Sequence, residues 1–369
     1  MKIVSIVGAR PEFVQVAVLS RVLRRRHTEL LVHTGQHYDE RMSERFFTDL
    51  GIPEPDVNLG VAAASPSAQT GEMLGGLADA LRRARPDLVI VRGDTNSTLA
   101  GSLAAKQLLL PLAHVEGGMR SYDRTMPEEI NRIVSDHIAD IALVTDDAAR
   151  RRLAGEGITT NVHVCGDVMY DVFLQVRVRA RAQREPRLRA LQQQPYDLLT
   201  VHRAENTDDP ARLRAIMAAF TDAPRRIIFP VHPRTAARLA EFGIRLPAAV
   251  VALEPLGYLD IVALECAART IFTDSGGVQR EAYFAAVPCF TLREATEWTN
   301  TVEARWNRLV GSDTAAIRAA LHAAPMRPAE HPPLFGEGDA AERIVAALES
   351  PATQRIIEEA ATTRRARGR

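Results

Sequence analysis

Twice along this chain, short runs of β-branched and apolar residues alternate with longer stretches of helical periodicity. That alternation restricts the fold more than any single motif does. In the first part the strand-like runs are Ile3–Val7, Glu29–Thr34, Leu88–Arg92, Leu112–Val115, Asp140–Thr145 and Val162–Cys165. Helical patterns fall between them near Phe13–Arg26, Met42–Leu50, Ala68–Ala84 and Ser97–Leu108. Strands that are apolar along their whole length need cover on both faces, and parallel sheets obtain it from crossover helices. The alternation restarts at Tyr196–Thr200 and continues through Arg226–Pro230, Ala249–Leu253, Thr270–Thr273 and Pro288–Leu292. Its helices are expected at Pro210–Thr221, Arg234–Phe242, Tyr258–Ala267 and Gly277–Ala285. The fold class expected is therefore α/β, with two Rossmann-like domains facing each other across a cleft.

The first domain is placed at residues 1–170 and the second at 171–350, with a terminal helix and basic tail at 351–369. The basic run Val176–Arg187 has no interleaved aromatics and reads as a solvated linker helix at the boundary. The tail Thr362–Arg369 is expected to fray.

Composition removes several functions. A chain of 369 residues exceeds what one core usually organises. Its 46 basic and 46 acidic residues cancel, so no global field draws in nucleic acid or an anionic membrane. Any anionic ligand is caught locally. Aromatic residues make up 5%, too few for a base-stacking surface. Cys165, Cys266 and Cys289 are far apart in apolar surroundings, which gives neither a disulfide framework nor a zinc cluster. No HExxH or paired His/Cys spacing is present, and no metal is expected. No stretch of about 18 uncharged apolar residues occurs, so a soluble cytoplasmic protein is expected.

The polar residues that stand out follow strands, where open α/β sheets bind ligands. Arg10 and Pro11 follow the first strand: Pro11 suits a first helical turn, and Arg10 is placed to reach a phosphate. Gly8 has no GxGxxG companions, which disfavours a nicotinamide cofactor. Asp94 follows Leu88–Arg92, where it could equally cap the next helix. Glu116 ends the next strand, and Glu128 and Arg132 lie four apart on a helix, the spacing of an ordinary surface pair. Three carboxylates at strand ends around one cleft suit a reaction that moves protons or develops positive charge. In the second domain His202 and His232 follow strands and are candidate donors to phosphate oxygens. Thr273-Asp-Ser-Gly-Gly277 leads from a strand into a helix. Taken alone it is a small-residue connection, but its N–H groups could also converge on an anion. Glu281 lies one turn inside that helix, where it could accept from a ribose hydroxyl pair.

In order along the chain, Gly8-Ala-Arg-Pro-Glu12, Thr34-Gly-Gln-His37, Gly93-Asp-Thr-Asn-Ser97, His114-Val-Glu116, Pro127-Glu-Glu-Ile-Asn-Arg132, His202-Arg203, His232-Pro233 and Thr273–Gln279 together resemble the non-hydrolysing UDP-N-acetylglucosamine 2-epimerases. The likeness runs from residue 1 to about Gly311. It implies a glycosyltransferase-B-like fold and a homodimer whose last helix packs back on the first domain. It also implies a UDP-sugar substrate and no cofactor. By resemblance, UDP is eliminated to leave a 2-acetamidoglucal and then added back, with Asp94, Glu116 and Glu128 at the acid/base positions and His202 assisting departure of the diphosphate. Arg10, Arg132, Ser275, Gly276 and Gly277 match diphosphate contacts, and Glu281 matches the ribose ligand. Which carboxylate is base and which is acid is open.

The chain departs from the family at Gln15, where Lys is usual, which would remove a positive charge near the diphosphate. Gly117 replaces the usual Ala and is expected to loosen its loop. Glu281–Phe284, Pro288-Cys289, Thr291–Arg293, Thr296–Trp298 and Trp306-Asn307 look more like the branch that acts on UDP-2,3-diacetamido-2,3-dideoxyglucuronate. A hydrolysing epimerase that releases UDP and the free sugar, and a glycosyltransferase, are the competing readings.

Overall fold

The computed structural model describes residues 1–36, 51–63, 65–182, 186–323 and 327–367. His37 and the helix expected over Met42–Leu50 lie outside them. The chain divides into two units, Met1–Val172 with Phe335–Arg369, and Phe173–Leu334.

In the first unit, β1 (Lys2–Val7), β2 (Thr28–His33), β3 (Val57–Asn58), β4 (Leu88–Arg92), β5 (Leu112–Gly117), β6 (Ile141–Val144) and β7 (Val162–Val164) form one sheet in the order β3-β2-β1-β4-β5-β6-β7. All its pairings are parallel. All five residues of β4 are buried, as an apolar run covered on both faces must be. Its helices are α1 (Arg10–Arg26), α2 (Pro66–Ala84), α3 (Asn96–Gln107), α4 (Pro127–Ile138) and α5 (Asp147–Gly155). Next comes α6 (Val168–Ala182), which crosses into the second unit.

In the second unit, β8 (Tyr196–Thr200), β9 (Arg226–Pro230), β10 (Val250–Leu253), β11 (Ile271–Thr273), β12 (Cys289–Thr291) and β13 (Asn307–Leu309) form a parallel sheet in the order β10-β9-β8-β11-β12-β13. Its helices are α7 (Pro186–Leu191), α8 (Ala204–Thr207), α9 (Pro210–Ala219), α10 (Pro233–Glu241), α11 (Tyr258–Ala267), α12 (Gly276–Phe284), α13 (Thr299–Glu303) and α14 (Thr314–His322). Two closing helices, α15 (Ala340–Leu348) and α16 (Pro351–Ala366), group with the first unit. Two parallel α/β units are thus present, the class expected.

Two expectations change. The second domain does not run to residue 350: the carboxylate of Asp171 accepts from the N–H groups of Ala340 (3.1 Å) and Ala341 (2.8 Å), anchoring the start of α15 on the first unit. The basic tail is helical through Ala366 rather than frayed, because the Arg364 guanidinium donates to the Leu109 carbonyl at 2.9 Å. β3, β13, α5, α8, α13 and α14 fall where no strand or helix is expected, because they are short or lack an apolar run of their own.

In each sheet the winding direction reverses once, between β1 and β4 and between β8 and β11. Ligands of open α/β sheets bind beyond the strand ends at such a reversal. Gly8 and Gly93 follow one pair of strands, and Val201-His202 and Asp274-Ser275 follow the other.

Candidate active site

At the first reversal the two loops are stitched through Glu12, which is buried. Its carboxylate accepts from the N–H groups of Gly8 (2.6 Å) and Ala9 (2.9 Å), and from the Thr95 hydroxyl at 2.6 Å. Burial raises the Glu12 pKa, opposed by those hydrogen bonds and by the nearby charge of Arg92. Arg10 opens α1, but its side chain lies outside the described residues.

Asp94 follows β4 and is half-buried. It pairs with the Arg132 guanidinium at 3.3 Å, and the Asn131 amide donates to its carbonyl at 3.0 Å. Arg132 is buried, pairs with Glu129 at 3.1 Å and donates to the Glu128 carbonyl at 3.2 Å. The surface pair expected between Glu128 and Arg132 is therefore replaced. Arg132 takes its charge partners from Asp94 and Glu129, and the Glu128 carboxyl stands half-buried in the first turn of α4. Glu129, one residue on, accepts from the N–H groups of Ser121 (2.8 Å) and Tyr122 (3.0 Å) and so fixes the loop entering α4.

Glu116 sits where the register of β5 against β6 shifts between Val115 and Gly117. Its φ is +67°, a left-handed conformation that costs a non-glycine residue free energy and needs surroundings that enforce it. A bulge of this kind re-aims a side chain at the end of a strand. The enforcing groups lie behind it. Asp136 accepts from the Gly118 N–H (3.1 Å), the His114 ring (2.8 Å) and Arg120 (2.6 Å), and Arg120 continues to Glu156 at 2.6 Å. Burial works to lower the His114 pKa, but the charge and hydrogen bond of Asp136 outweigh it and the net shift is upward. Burial works to raise Asp136, and His114 and Arg120 outweigh it in turn. Gly117 does not loosen this loop: a Cβ there would lie 2.8 Å from an Asp136 oxygen, so the glycine lets that carboxylate approach.

Gln15 of α1, 3% exposed, donates its amide to the Glu116 carboxylate, and its Oε1 has no partner among the described residues. The residue in the usual Lys place thus acts on a candidate acid/base group.

His33, at the end of β2, stacks on Phe13 at 5.0 Å, and its Nδ1 accepts from the Gly35 N–H at 2.8 Å. Burial lowers its pKa to about 4, with Asn58 opposing. Because the folded value lies below the ordinary 6.5, its contribution is whole above pH 6.5 and is lost as pH falls toward 4. That contribution is worth about 3 kcal/mol. Thermal melts are expected to show a smaller acid loss of Tm over that window in His33→Gln than in the wild type. Parallel losses would contradict this account of His33.

At the second reversal, Asp274 is fully buried. It accepts from the N–H groups of His202 (3.0 Å) and Arg203 (3.0 Å) and from the Asn206 amide at 3.1 Å. His202 is therefore set by the residue that precedes Ser275. The rings of His202 and His232 lie 5.5 Å apart, and His232 caps α10 by accepting from the Arg234 N–H at 3.2 Å. Ser275 caps α12, its hydroxyl accepting from the Val278 N–H at 3.4 Å. Helix geometry leaves the N–H groups of Gly276 and Gly277 without intrahelical acceptors, at the positive end of the dipole. Neither glycine has a positive φ. Gly276 lets the Glu297 carboxylate come close, since a Cβ there would stand 2.5 Å from one of its oxygens. Glu281 lies further along α12, buried.

Sequence reasoning missed Glu129, Asp136 and Asp274, the carboxylates that aim the others. Asp274 directly follows the strand-forming run Ile271-Phe272-Thr273 and Asp136 follows Ile133-Val134 with one residue between, and an acid at the end of an apolar run was the available signal. Among the described residues no group of three His, Cys, Asp or Glu could hold a metal ion, and no helix is long and apolar enough to cross a membrane.

The profile of a family described as UDP-N-acetylglucosamine 2-epimerase matches residues 21–349. A UDP-N-acetylglucosamine 2-epimerase homolog of Methanococcus maripaludis is 45% identical over 94% of this chain and 99% of its own length. The UDP-2,3-diacetamido-2,3-dideoxy-D-glucuronate 2-epimerase of Pseudomonas aeruginosa is 41% identical over 93% of this chain and 98% of its own. The crystal structure of Methanocaldococcus jannaschii UDP-GlcNAc 2-epimerase in complex with UDP-GlcNAc and UDP superposes with a TM-score of 0.87 at 39% identity. It spans 94% of this chain and 99% of that one.

Proposed function

The chain belongs to the UDP-N-acetylglucosamine 2-epimerase family, and from that premise we propose that it interconverts UDP-N-acetylglucosamine and UDP-N-acetylmannosamine. The observation that carries the reading is Glu116, a carboxylate held at a left-handed bulge against a buried amide donor. A group kept there at a cost in backbone strain suits proton transfer.

In the proposed reaction a first-unit carboxylate takes the proton from carbon 2. The electron pair of that C–H bond forms the C1–C2 double bond as the C1–oxygen bond breaks and UDP departs. Asp94, Glu116 and Glu128 share proton removal, proton return and stabilisation of positive charge at carbon 1. His202 assists the diphosphate, which Arg10, Arg132, His232, Ser275, Gly276 and Gly277 hold, and Glu281 takes the ribose. A diphosphate oxygen then re-adds to carbon 1, and carbon 2 is protonated on the opposite face. Atoms balance without net oxidation or reduction. The reading carries with it a cytoplasmic homodimer.

A second substrate, UDP-2,3-diacetamido-2,3-dideoxyglucuronate, is favoured by the 41% identity to the Pseudomonas aeruginosa relative and by the Thr296–Trp298 segment. Each sugar is incubated separately and its products are followed by NMR. The account expects the 2-epimer of UDP-N-acetylglucosamine with the nucleotide still attached. Epimerisation of the uronate alone selects the second reading, and release of free sugar with UDP defeats both.

A further inference from the structure

One carboxyl outside the proposed machinery has no conventional partner. Glu265 lies on α11 with 0% exposure, and neither of its oxygens meets a donor among the described residues. Its contact is with another acceptor, the carboxyl of Glu281 on α12, against which the Tyr258 hydroxyl also lies. Two carboxylates side by side in a dry interior cannot both ionise, so the pair retains a proton. Glu265 is fully buried with no donor of its own among the described residues, whereas the Tyr258 hydroxyl lies against Glu281, so the proton sits on Glu265, the direction in which burial and the Glu281 charge also push it. The other ionisable groups around the pair are Tyr258 and Cys266 on α11, Arg280 on α12 and Cys289 on β12. Burial drives the Tyr258 hydroxyl well up and the Cys289 thiol to about 12, so both stay neutral near pH 7.

We propose that Glu265 is a positioning residue for Glu281: its protonated carboxyl donates to Glu281 and fixes that carboxylate as the acceptor for the ribose hydroxyl pair of a uridine nucleotide. The proposal rests on the reading of Glu281 as the ribose ligand. Glu265 touches no reacting atom, and its effect is on nucleotide affinity.

The test is calorimetric titration of the whole protein with UDP and with 2′,3′-dideoxy-UDP, from neutral to alkaline pH. Wild type is expected to prefer UDP and to lose that preference as rising pH strips the proton from Glu265. Glu265→Gln keeps a donor of the same shape at every pH, so its preference survives and becomes flat with pH. Glu265→Leu has no donor, and its UDP affinity falls about tenfold toward that for the dideoxy nucleotide, with KM for the UDP-sugar rising and kcat held. Full preference in Glu265→Leu, or the same alkaline loss in Glu265→Gln as in wild type, would overturn the proposal. Glu281→Gln separates the two levels. If it discriminates as wild type does, the ribose reading fails. If it loses discrimination while Glu265→Leu keeps it, only the role of Glu265 fails. Should Glu265→Leu not fold, the pH profile of Glu265→Gln still decides.

Discussion

Glu116→Gln is expected to lower kcat for epimerisation by about 10²–10⁴, the range that one positioned proton-transfer group supplies, with UDP affinity nearly unchanged. The substitution removes the ability to take or give a proton and little else. Its amide fills the same volume, the bulge at Val115/Gly117 and the Asp136 network behind it are untouched, and the Gln15 amide can donate to the new carbonyl. Stability should therefore hold while turnover collapses, the signature of an interaction made in the transition state. Steady-state kinetics with UDP titration read both quantities. A fully active Glu116→Gln would move Glu116 out of the mechanism.

Asp274→Ala should produce the largest loss in the second unit, through a different route. The fully buried Asp274 carboxylate satisfies the N–H groups of His202 and Arg203 and the amide of Asn206, and alanine strands all three donors. Leaving a buried neutral donor unsatisfied costs about 1–3 kcal/mol for each donor. The loop carrying His202 is then free to shift, and a displacement near 1 Å costs roughly 100-fold in a positioned site. The expected result is a lower Tm together with UDP affinity weakened by that factor. Asp209→Ala is the control: its carboxylate only caps α9, accepting from the Ala211 N–H at 2.8 Å, so about 1 kcal/mol is lost and UDP binding stays. Equal effects from the two variants would show that Asp274 is not what sets His202.

The parts of this fold legible in the sequence are those governed by periodicity. β4, β8, β9 and α11 fall where apolar runs and helical spacing put them, because burial on two faces or one leaves a direct mark on composition. The Rossmann-like class was legible too, since alternation of strand and helix admits few topologies. What was not legible depends on residues meeting across long separations. Nothing local in Pro127–Ile138 says that Arg132 turns to Asp94 and Glu129 rather than to the carboxyl of Glu128. Gln15 acts on Glu116, 101 positions away, and only the packing of α1 beside the end of β5 reveals it. The return of Phe335–Arg369 to the first unit has the same origin, a buried Asp171 that meets the start of α15 from 169 positions upstream. Gly117 shows the converse. Its identity is plain in the sequence, but its reason is the Asp136 carboxylate pressed against it.

In the proposed reaction carbon 2 of a UDP-sugar exchanges its proton while the nucleotide is detached and then restored. Incubating the wild-type protein with UDP-N-acetylglucosamine in D₂O measures this directly. The account predicts deuterium at carbon 2 of both epimers, each still carrying UDP, and none in Glu116→Gln over the same interval. Interconversion of the epimers with carbon 2 unlabelled would contradict it.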